Sequence, residues 1–271
     1  MRTARRRPSG RHRSPDRLSV PANAPALVLA VPGIACAESD EISAEVAASA
    51  SASCPGVDVR VGYLEGGKAN LSAVLAALRP GTDATPLAVV VPMMVSPDPG
   101  AGAALAKAVA EAGVAALLTG HLGPHPLLAE ALHARLAEAG LARAGRIGQI
   151  SIVAAAGGVL LAAVGGEQAL QEAGIVAVLL ASRLAVPVVP ALLGHAASLS
   201  DAAARLRETR ATSLALAPCV IGPEAAPAEV AAAATHSGAL PAQRLGAHPA
   251  IGQLVAIRYG TALQDPRIAL G

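Results

Sequence analysis

The sequence contains almost no aromatic residues: phenylalanine and tryptophan are absent, and the two tyrosines are Tyr63 and Tyr259. Proteins that bind single-stranded nucleic acid stack the bases on aromatic side chains, so this scarcity argues against such a function. Hydrophobic residues nevertheless make up 53% of the 271 residues. The core must therefore be built mainly of alanine, valine, leucine and isoleucine.

Cysteine is also scarce, with only Cys36, Cys54 and Cys219 and no CxxC spacing. Such a set predicts reduced thiols in a cytoplasmic protein. No apolar segment follows the N-terminal arginines, which argues against a secretory signal. Residues 147–166 carry no charge and are long enough to span a membrane. Glycines interrupt this run, however, and a buried strand of a parallel sheet gives the same pattern, so we favour a protein without a membrane partner.

The charge is concentrated at the N-terminus. Residues 1–24 hold seven arginines and one aspartate, whereas the rest of the chain is mildly acidic. Without apolar periodicity, this segment is predicted to be a disordered tail. Attraction to nucleic acid or a membrane is the less favoured interpretation of this tail, and we expect no nucleic-acid partner.

Nucleotide-binding signatures are incomplete. No GxGxxG phrase follows a first strand in either half of the chain. Residues 62–68 have the GxxxxGK spacing of a phosphate-binding loop, but Ala69 stands where serine or threonine should hold magnesium. We therefore expect no nucleotide cofactor.

Three phrases of the sequence occur twice. Residues 122–126 (LGPHP) return as 245–249 (LGAHP), 92–98 (PMMVSPD) return as 218–224 (PCVIGPE), and 27–33 are similar to 151–157. The separation of about 125 residues exceeds the roughly 20 to 50 residues of solenoid repeats, so each copy is predicted to be a domain. The predicted division is a tail (1–24), a first domain (25–140), a linker (141–148), a second domain (149–265) and a tail (266–271).

Apolar runs alternate with alanine-rich amphipathic stretches in both copies, which predicts an α/β fold. We expect two tandem similar domains, each a parallel sheet of about four strands flanked by helices, in a monomer that acts as a pseudo-dimer. Strands are predicted near 26–32, 57–63, 86–95, 114–120, 149–156, 185–192, 212–221 and 240–245. Helices are predicted near 38–52, 69–79, 101–112, 126–139, 167–183, 199–209, 226–235 and 249–262. The apolar run 159–164 is interpreted as a short additional strand.

The repeated phrase places His125 and His248 directly before a proline that begins a helix. Each histidine is a candidate for metal binding or proton transfer, because its side chain titrates near neutral pH. A structural role at the start of the helix, where a ring nitrogen accepts a backbone N–H bond, explains the recurrence better.

Ligands of open parallel sheets bind beyond the carboxyl ends of the strands, which predicts a site in the cleft between the domains. Small residues at the predicted strand ends leave room there for a flat or bulky ligand: Gly33, Ser96, Gly157 and Gly222. Asp98 and Glu224 occupy equivalent positions in the two copies and are candidates to bind a cation or accept protons. The alternative is that each stabilises the N-terminus of the following helix.

The phrases 89–96 (VVVPMMVS), 122–128 (LGPHPLL) and 245–259 resemble those of the class II chelatases, the sirohydrochlorin cobaltochelatase and ferrochelatase family. The likeness covers residues 26–262 and the long, two-domain form. It implies a lyase of cobalamin or siroheme biosynthesis that inserts a divalent metal (cobalt, iron or nickel) as substrate into a tetrapyrrole.

The chain lacks the histidines that this family uses as metal ligands. The resemblance places one after the first strand, where this chain has Pro32-Gly33-Ile34, and another after the third strand, where residues 97–101 (PDPGA) contain none. Two hypotheses follow. One is a chelatase with substituted metal ligands: Asp98 and Glu224, with Cys36 or Cys219 for a softer metal. The other is a catalytically silent paralog that binds or carries a tetrapyrrole or metal.

Overall fold

The structure is a computed structural model that describes residues 20–21, 23–66, 69–78, 86–143, 156–222 and 224–264. Most of the predicted arginine-rich tail, most of the predicted linker and all of the predicted C-terminal tail lie outside these residues. We call the described residues up to 143 the first half and those from 156 onward the second half. The predicted domain boundaries remain predictions.

Strands and helices alternate through both halves. The first half contains β1 (Ala26–Ile34), α1 (Ala37–Ser53), β2 (Val59–Glu65), α2 (Leu71–Ala76), β3 (Ala88–Pro92), α3 (Pro99–Ala112), β4 (Ala116–Leu118) and α4 (Pro126–Glu138). The second half contains β5 (Gly158–Ala163), α5 (Glu167–Leu184), β6 (Val188–Leu192), α6 (Ala196–Glu208), β7 (Leu214–Pro218), α7 (Pro227–Ser237), β8 (Leu240–Pro241) and α8 (Pro249–Ala262).

Each half forms one parallel four-stranded sheet, and the two sheets have the same strand order. These orders are β2-β1-β3-β4 and β6-β5-β7-β8. The central strands β1, β3, β5 and β7 are buried along most or all of their length, as their uninterrupted apolar runs predict. The predicted fold class is confirmed.

The first strand of the second half lies later than predicted. The segment 159–164, interpreted as an additional strand, belongs to β5, which pairs with β6 and β7 as β1 pairs with β2 and β3. Ala30 faces Pro92 and Ala162 faces Pro218, so Gly165 is the counterpart of Gly33. The interpretation of 159–164 as an additional strand is therefore wrong, and the strand predicted at 149–156 lies, apart from Ala156, outside the described residues.

The two halves share one hydrophobic core. One face of each sheet packs on a middle layer made of α1, α4, α5 and α8, and a single apolar cluster runs through this layer. Helix α1 of the first half packs on α8 of the second, and α4 packs on α5. The other face of each sheet has its own cluster, with α2 and α3 on the first sheet and α6 and α7 on the second. The middle layer thus joins the halves through their apolar helix faces.

The repeated phrase is held by an arginine from the opposite half. Arg135 of α4 donates from Nε and Nη2 to the Leu245 carbonyl at 3.1 and 2.7 Å. Arg258 of α8, its counterpart, donates to the carbonyls of Leu122 and Gly123 at 3.3 and 3.2 Å. The repeat is therefore part of a reciprocal contact between the halves.

The histidines of the repeated phrase cap the helices that follow them. Nδ1 of His125 accepts the Leu127 N–H at 3.1 Å, and Nδ1 of His248 accepts the Ala250 N–H at 3.2 Å. The structural interpretation of these histidines is thus confirmed.

Both tyrosines form hydrogen bonds from buried positions. The Tyr259 hydroxyl of α8 donates to the carbonyl of Pro25, at the start of β1, at 2.6 Å. The Tyr63 hydroxyl bonds to Asp40 and Ser43 of α1. The few aromatic side chains therefore fasten the middle layer to the first sheet.

None of the described helices combines the length and hydropathy that a membrane span requires.

Candidate functional site

A cavity of about 380 Å³ lies between the halves at the carboxyl ends of the strands. Its volume falls in the range of small-molecule sites, roughly 300 to 1,000 Å³. The first half contributes Pro32, Gly33, Leu64, Glu65, Met94, Val95, Ser96, Asp98, Gly100, Ala101 and Ala104, and the second half contributes Val164, Cys219, Val220 and Glu224. The wall thus combines apolar side chains with three carboxyl groups.

The Asp98 side chain lines this cavity and also caps α3. Its Oδ1 accepts the N–H groups of Gly100 and Ala101 at 2.8 and 3.1 Å. Capping by aspartate satisfies backbone donors that would otherwise lack partners at the first turn. The structural alternative for Asp98 is confirmed, although its second oxygen is not engaged by the cap.

Glu224 lies in a different environment from its counterpart. Helix α7 begins at Pro227, with Ala226 at the N-cap, so Glu224 lies before the helix and does not cap it. Its Oε2 accepts the Gly222 N–H at 2.8 Å, whereas its Oε1 is buried without a hydrogen-bond partner among the described residues. Burial raises the pKa of the Glu224 carboxyl, and nearby backbone N–H groups offset part of this increase. Glu224 is therefore a buried carboxyl group in the cavity wall with unused hydrogen-bonding capacity.

The two candidate cysteines differ in position and reactivity. Cys219 is buried in the cavity wall, where burial and the neighbouring Glu224 raise the pKa of its thiol to about 12. Cys219 is thus a neutral thiol near pH 7, which is unfavourable for metal binding. Cys36 is exposed at the N-cap of α1 and does not line the cavity. Hydrogen bonding to Ser39 lowers the pKa of the Cys36 thiol.

The candidate small residues divide into two groups. Gly33 and Ser96 line the cavity, and Gly222 supports it through the hydrogen bond to Glu224. Gly157 immediately precedes β5, at the opposite end of the strand from the cavity, and its N–H donates to the Ser213 carbonyl at 2.9 Å. The expectation that Gly157 lies at a carboxyl strand end is wrong, because the strand begins after this residue.

Sequence reasoning missed two features of the site. Glu65 ends β2 and lines the cavity, whereas in the sequence it stands out only as part of the incomplete phosphate-binding phrase at 62–68. Extending the strand-end rule to the second strand would have found it. Arg244 was missed because its contacts, described below, depend on the arrangement of both halves.

The structure brings only some of the predicted metal ligands to the same cavity. Among the described residues, no three histidine, cysteine, aspartate or glutamate side chains are grouped so that they could hold a metal ion. Asp98 and Glu224 line the same cavity, but Cys36 lies outside it.

Comparisons with known proteins identify a shared fold. No protein-family model matches the chain, and the comparison with curated proteins finds no significant match. Among solved structures, the chain is similar to the sirohydrochlorin chelatase SirB from Bacillus subtilis subspecies spizizenii in complex with cobalt. The identity is 13% and the TM-score 0.63, over 90% of this chain and 98% of that chain.

Two further structures are equally similar. SirB from Bacillus subtilis with Fe³⁺ has 15% identity and a TM-score of 0.65, over 90% of this chain and 98% of that chain. CbiX, described as the terminal enzyme for biosynthesis of siroheme in denitrifying bacteria, has 20% identity and a TM-score of 0.63, over 88% of this chain and all of that chain. The chain therefore has the two-sheet α/β fold of these sirohydrochlorin chelatase structures.

Proposed function

We propose that this protein is a sirohydrochlorin-chelatase-like protein of tetrapyrrole metabolism that binds a tetrapyrrole in the cavity between its halves. The observation that carries the proposal is the position of this cavity, at the carboxyl strand ends of a chelatase fold, with carboxyl groups from both halves in its wall. The proposal includes a cytoplasmic location, supported by three unpaired cysteines. It also includes a monomer whose halves act as a pseudo-dimer, supported by their shared core.

The composition of the cavity wall suits a tetrapyrrole. Leu64, Val95 and Val164 offer apolar surface to the face of the macrocycle, and Glu65, Asp98 and Glu224 offer oxygen acceptors to its pyrrole N–H groups. Insertion of a divalent metal displaces the pyrrole protons, which a carboxylate in the wall can accept. Cobalt, iron or nickel would enter as substrate.

The second candidate function is binding or transport of a tetrapyrrole without metal insertion. It is favoured by the composition of the wall, which contains no histidine, and by the lack of a three-ligand metal cluster among the described residues. The two candidates share the ligand and differ in the chemistry performed on it.

Metal insertion into sirohydrochlorin, followed by its visible spectrum, tests both candidates. The parent protein is compared with Glu224→Ala and Asp98→Ser, because serine keeps a capping oxygen for α3 and removes the charge. If the protein is a chelatase, cobalt or iron insertion exceeds the uncatalysed rate, and each variant slows it by about tenfold or more, as expected for loss of an acid–base group. A parent that binds sirohydrochlorin without accelerating insertion supports the second candidate, and a parent that does not bind it refutes both.

A further inference from the structure

Arg244 connects the segment that carries Glu224 to the other half of the molecule. Its Nη1 donates to the carbonyls of Gly222 and Ala225 at 3.0 and 2.9 Å. Its Nη2 forms an ion pair with Glu38, in the first turn of α1. The guanidinium group is largely buried, with 15% of the Arg244 side chain exposed, whereas the Glu38 side chain is half exposed and solvent weakens the ion pair. The two carbonyl bonds of Arg244 are therefore the main hold on this segment.

The backbone that carries Arg244 is itself fixed. The Ala242 N–H donates to the Leu216 carbonyl at 2.8 Å, and the Leu245 N–H donates to the Val220 carbonyl at 2.9 Å. These bonds place Arg244 between two attachments to β7 and the segment that follows it. The guanidinium group therefore projects from a fixed backbone towards Gly222 and Ala225.

Arg244 adds to other contacts of this segment: the Ala225 N–H donates to the Gly222 carbonyl at 3.2 Å, and Gly222 packs close to Ile42 of α1. Gly222, Glu224 and Ala225 lie outside the helices and strands, between β7 and α7. The Gly222 N–H that holds Oε2 of Glu224 belongs to the same residue whose carbonyl accepts from Arg244. A shift of Gly222 would thus displace the Glu224 carboxyl from the cavity wall.

Arginine suits this position because its planar guanidinium has donors in several fixed directions. One side chain bonds here to two carbonyl oxygens and a carboxylate at once. A lysine ammonium is a single point of charge on a flexible stem, so we expect it to keep the Glu38 contact and lose the joint hold on the two carbonyls.

We propose that Arg244 is a positioning residue for the cavity: it holds Gly222 and Ala225 against α1 and thereby fixes the Glu224 carboxyl in the wall. The proposal rests on the proposed function for the identity of the ligand. Its structural part, the hold on this segment, is independent of any ligand. Two measurements on the full-length chain separate these parts.

The first measurement uses the buried Cys219 thiol as a reporter of the segment in the absence of ligand. Iodoacetamide modification is followed by peptide mass spectrometry in a Cys36→Ser background, which removes the exposed thiol. Arg244→Met is expected to accelerate Cys219 modification by about tenfold through local opening, and Arg244→Lys by less.

Arg207→Met is the matched control, because Arg207 also donates to a carbonyl, that of Ser237 at 2.9 Å, far from the cavity in the α6–α7 pair. It should leave the Cys219 rate within about twofold of the parent. An equal rate in the parent and in Arg244→Met would overturn the proposal. If Arg244→Met does not fold, the comparison of Arg244→Lys with the parent decides in the same way.

The second measurement is a double-mutant cycle read by the visible spectrum of bound sirohydrochlorin. Arg244→Met is expected to weaken binding by about tenfold in the parent and by less than about twofold in a Glu224→Ala background, because its effect passes through Glu224. Equal losses in both backgrounds would overturn the positioning role. A parent that binds no sirohydrochlorin refutes the proposed function instead, and the Cys219 rates then decide whether Arg244 holds the segment.

Discussion

At the residue scale, two carboxyl groups that occupy equivalent positions in the repeat have different roles. Asp98 is the N-cap of α3, whereas Glu224 precedes its helix and has a buried, unpartnered oxygen. The sequence predicts the equivalence because the flanking phrases match. It could not predict the difference, which arises because α7 begins at Pro227, two residues later than the repeat implies.

Both repeated histidines should make stability depend on pH. Burial lowers the pKa of His125 and His248, and the nearby positive charge of Arg258 or Arg135 lowers it further. Each folded-state pKa lies below the unfolded value of about 6.5, so both histidines bind protons more readily in the unfolded chain. Their contribution to stability is present above about pH 6.5 and is lost as the pH falls towards the folded-state pKa. The free energy of unfolding should therefore decrease between pH 7 and pH 5.

The substitution His248→Asn tests whether His248 contributes to this pH dependence of stability, because asparagine keeps an N-capping oxygen and does not titrate. Urea unfolding at several pH values should show a shallower decrease for this variant than for the parent. His195→Asn is the control, since His195 is also an N-cap but makes no capping side-chain bond. Equal pH dependence in His248→Asn and in the parent would show that His248 is not responsible.

At the scale of elements, the sequence predicts most strands and helices to within a few residues, because the apolar runs and the helix-starting prolines are local signals. The exception is β5. Residues 151–157 are similar in composition to β1, and the true strand follows them directly. Small apolar residues continue through both segments, so hydrophobicity alone could not select the paired one. The hydrogen bonds to β6 and β7 determine that residues 158–163 form the paired strand.

Helix α8 approaches α1 closely at Gly252, and this contact should tolerate no added atom. A Cβ placed on Gly252 would lie 2.2 Å from Oγ and 2.5 Å from Cβ of Ser49. We expect Gly252→Ala to lower the free energy of unfolding by about 1 to 3 kcal/mol through overpacking. Thermal or urea unfolding measures this change.

Gly174→Ala is the matched control, because this glycine also lies inside a helix and a Cβ there meets nothing within 4 Å. Alanine has the higher helix propensity, so this variant should gain about 0.5 to 1 kcal/mol. A loss of stability in both variants, or in neither, would contradict the close packing of α1 and α8.

At the scale of the whole molecule, the duplication predicts two similar sheets, which the structure confirms. It also predicts a site between the halves, and a cavity lies there, although its function stays a proposal. The way the halves join could not be predicted. Helices α1 and α4 pack on α8 and α5 of the other half, and Arg135 and Arg258 bond to backbone carbonyls there. Contacts between a side chain and a distant carbonyl leave no periodic signal in the sequence.

The sequence predicts only part of the candidate site, because strand ends leave a signal in the sequence and contacts between the halves do not. Gly33, Ser96, Asp98 and Glu224 line the cavity because strand ends of a parallel sheet meet at one edge. Most of the lining residues come from the first half, an asymmetry that the similar repeat phrases do not predict. Glu65 and the support from Arg244 became visible only with both halves in place.

If the cavity between the halves binds a tetrapyrrole, a large side chain that fills this cavity should prevent binding. Ala104 lines it, whereas the adjacent Ala103 is exposed and does not. Sirohydrochlorin binding is titrated by visible absorption for the parent, Ala104→Phe and Ala103→Phe. Ala104→Phe should weaken binding by at least about tenfold because the phenylalanine side chain fills the cavity, while Ala103→Phe should bind as the parent does. Equal binding by all three proteins, or no binding by the parent, would contradict tetrapyrrole binding in this cavity.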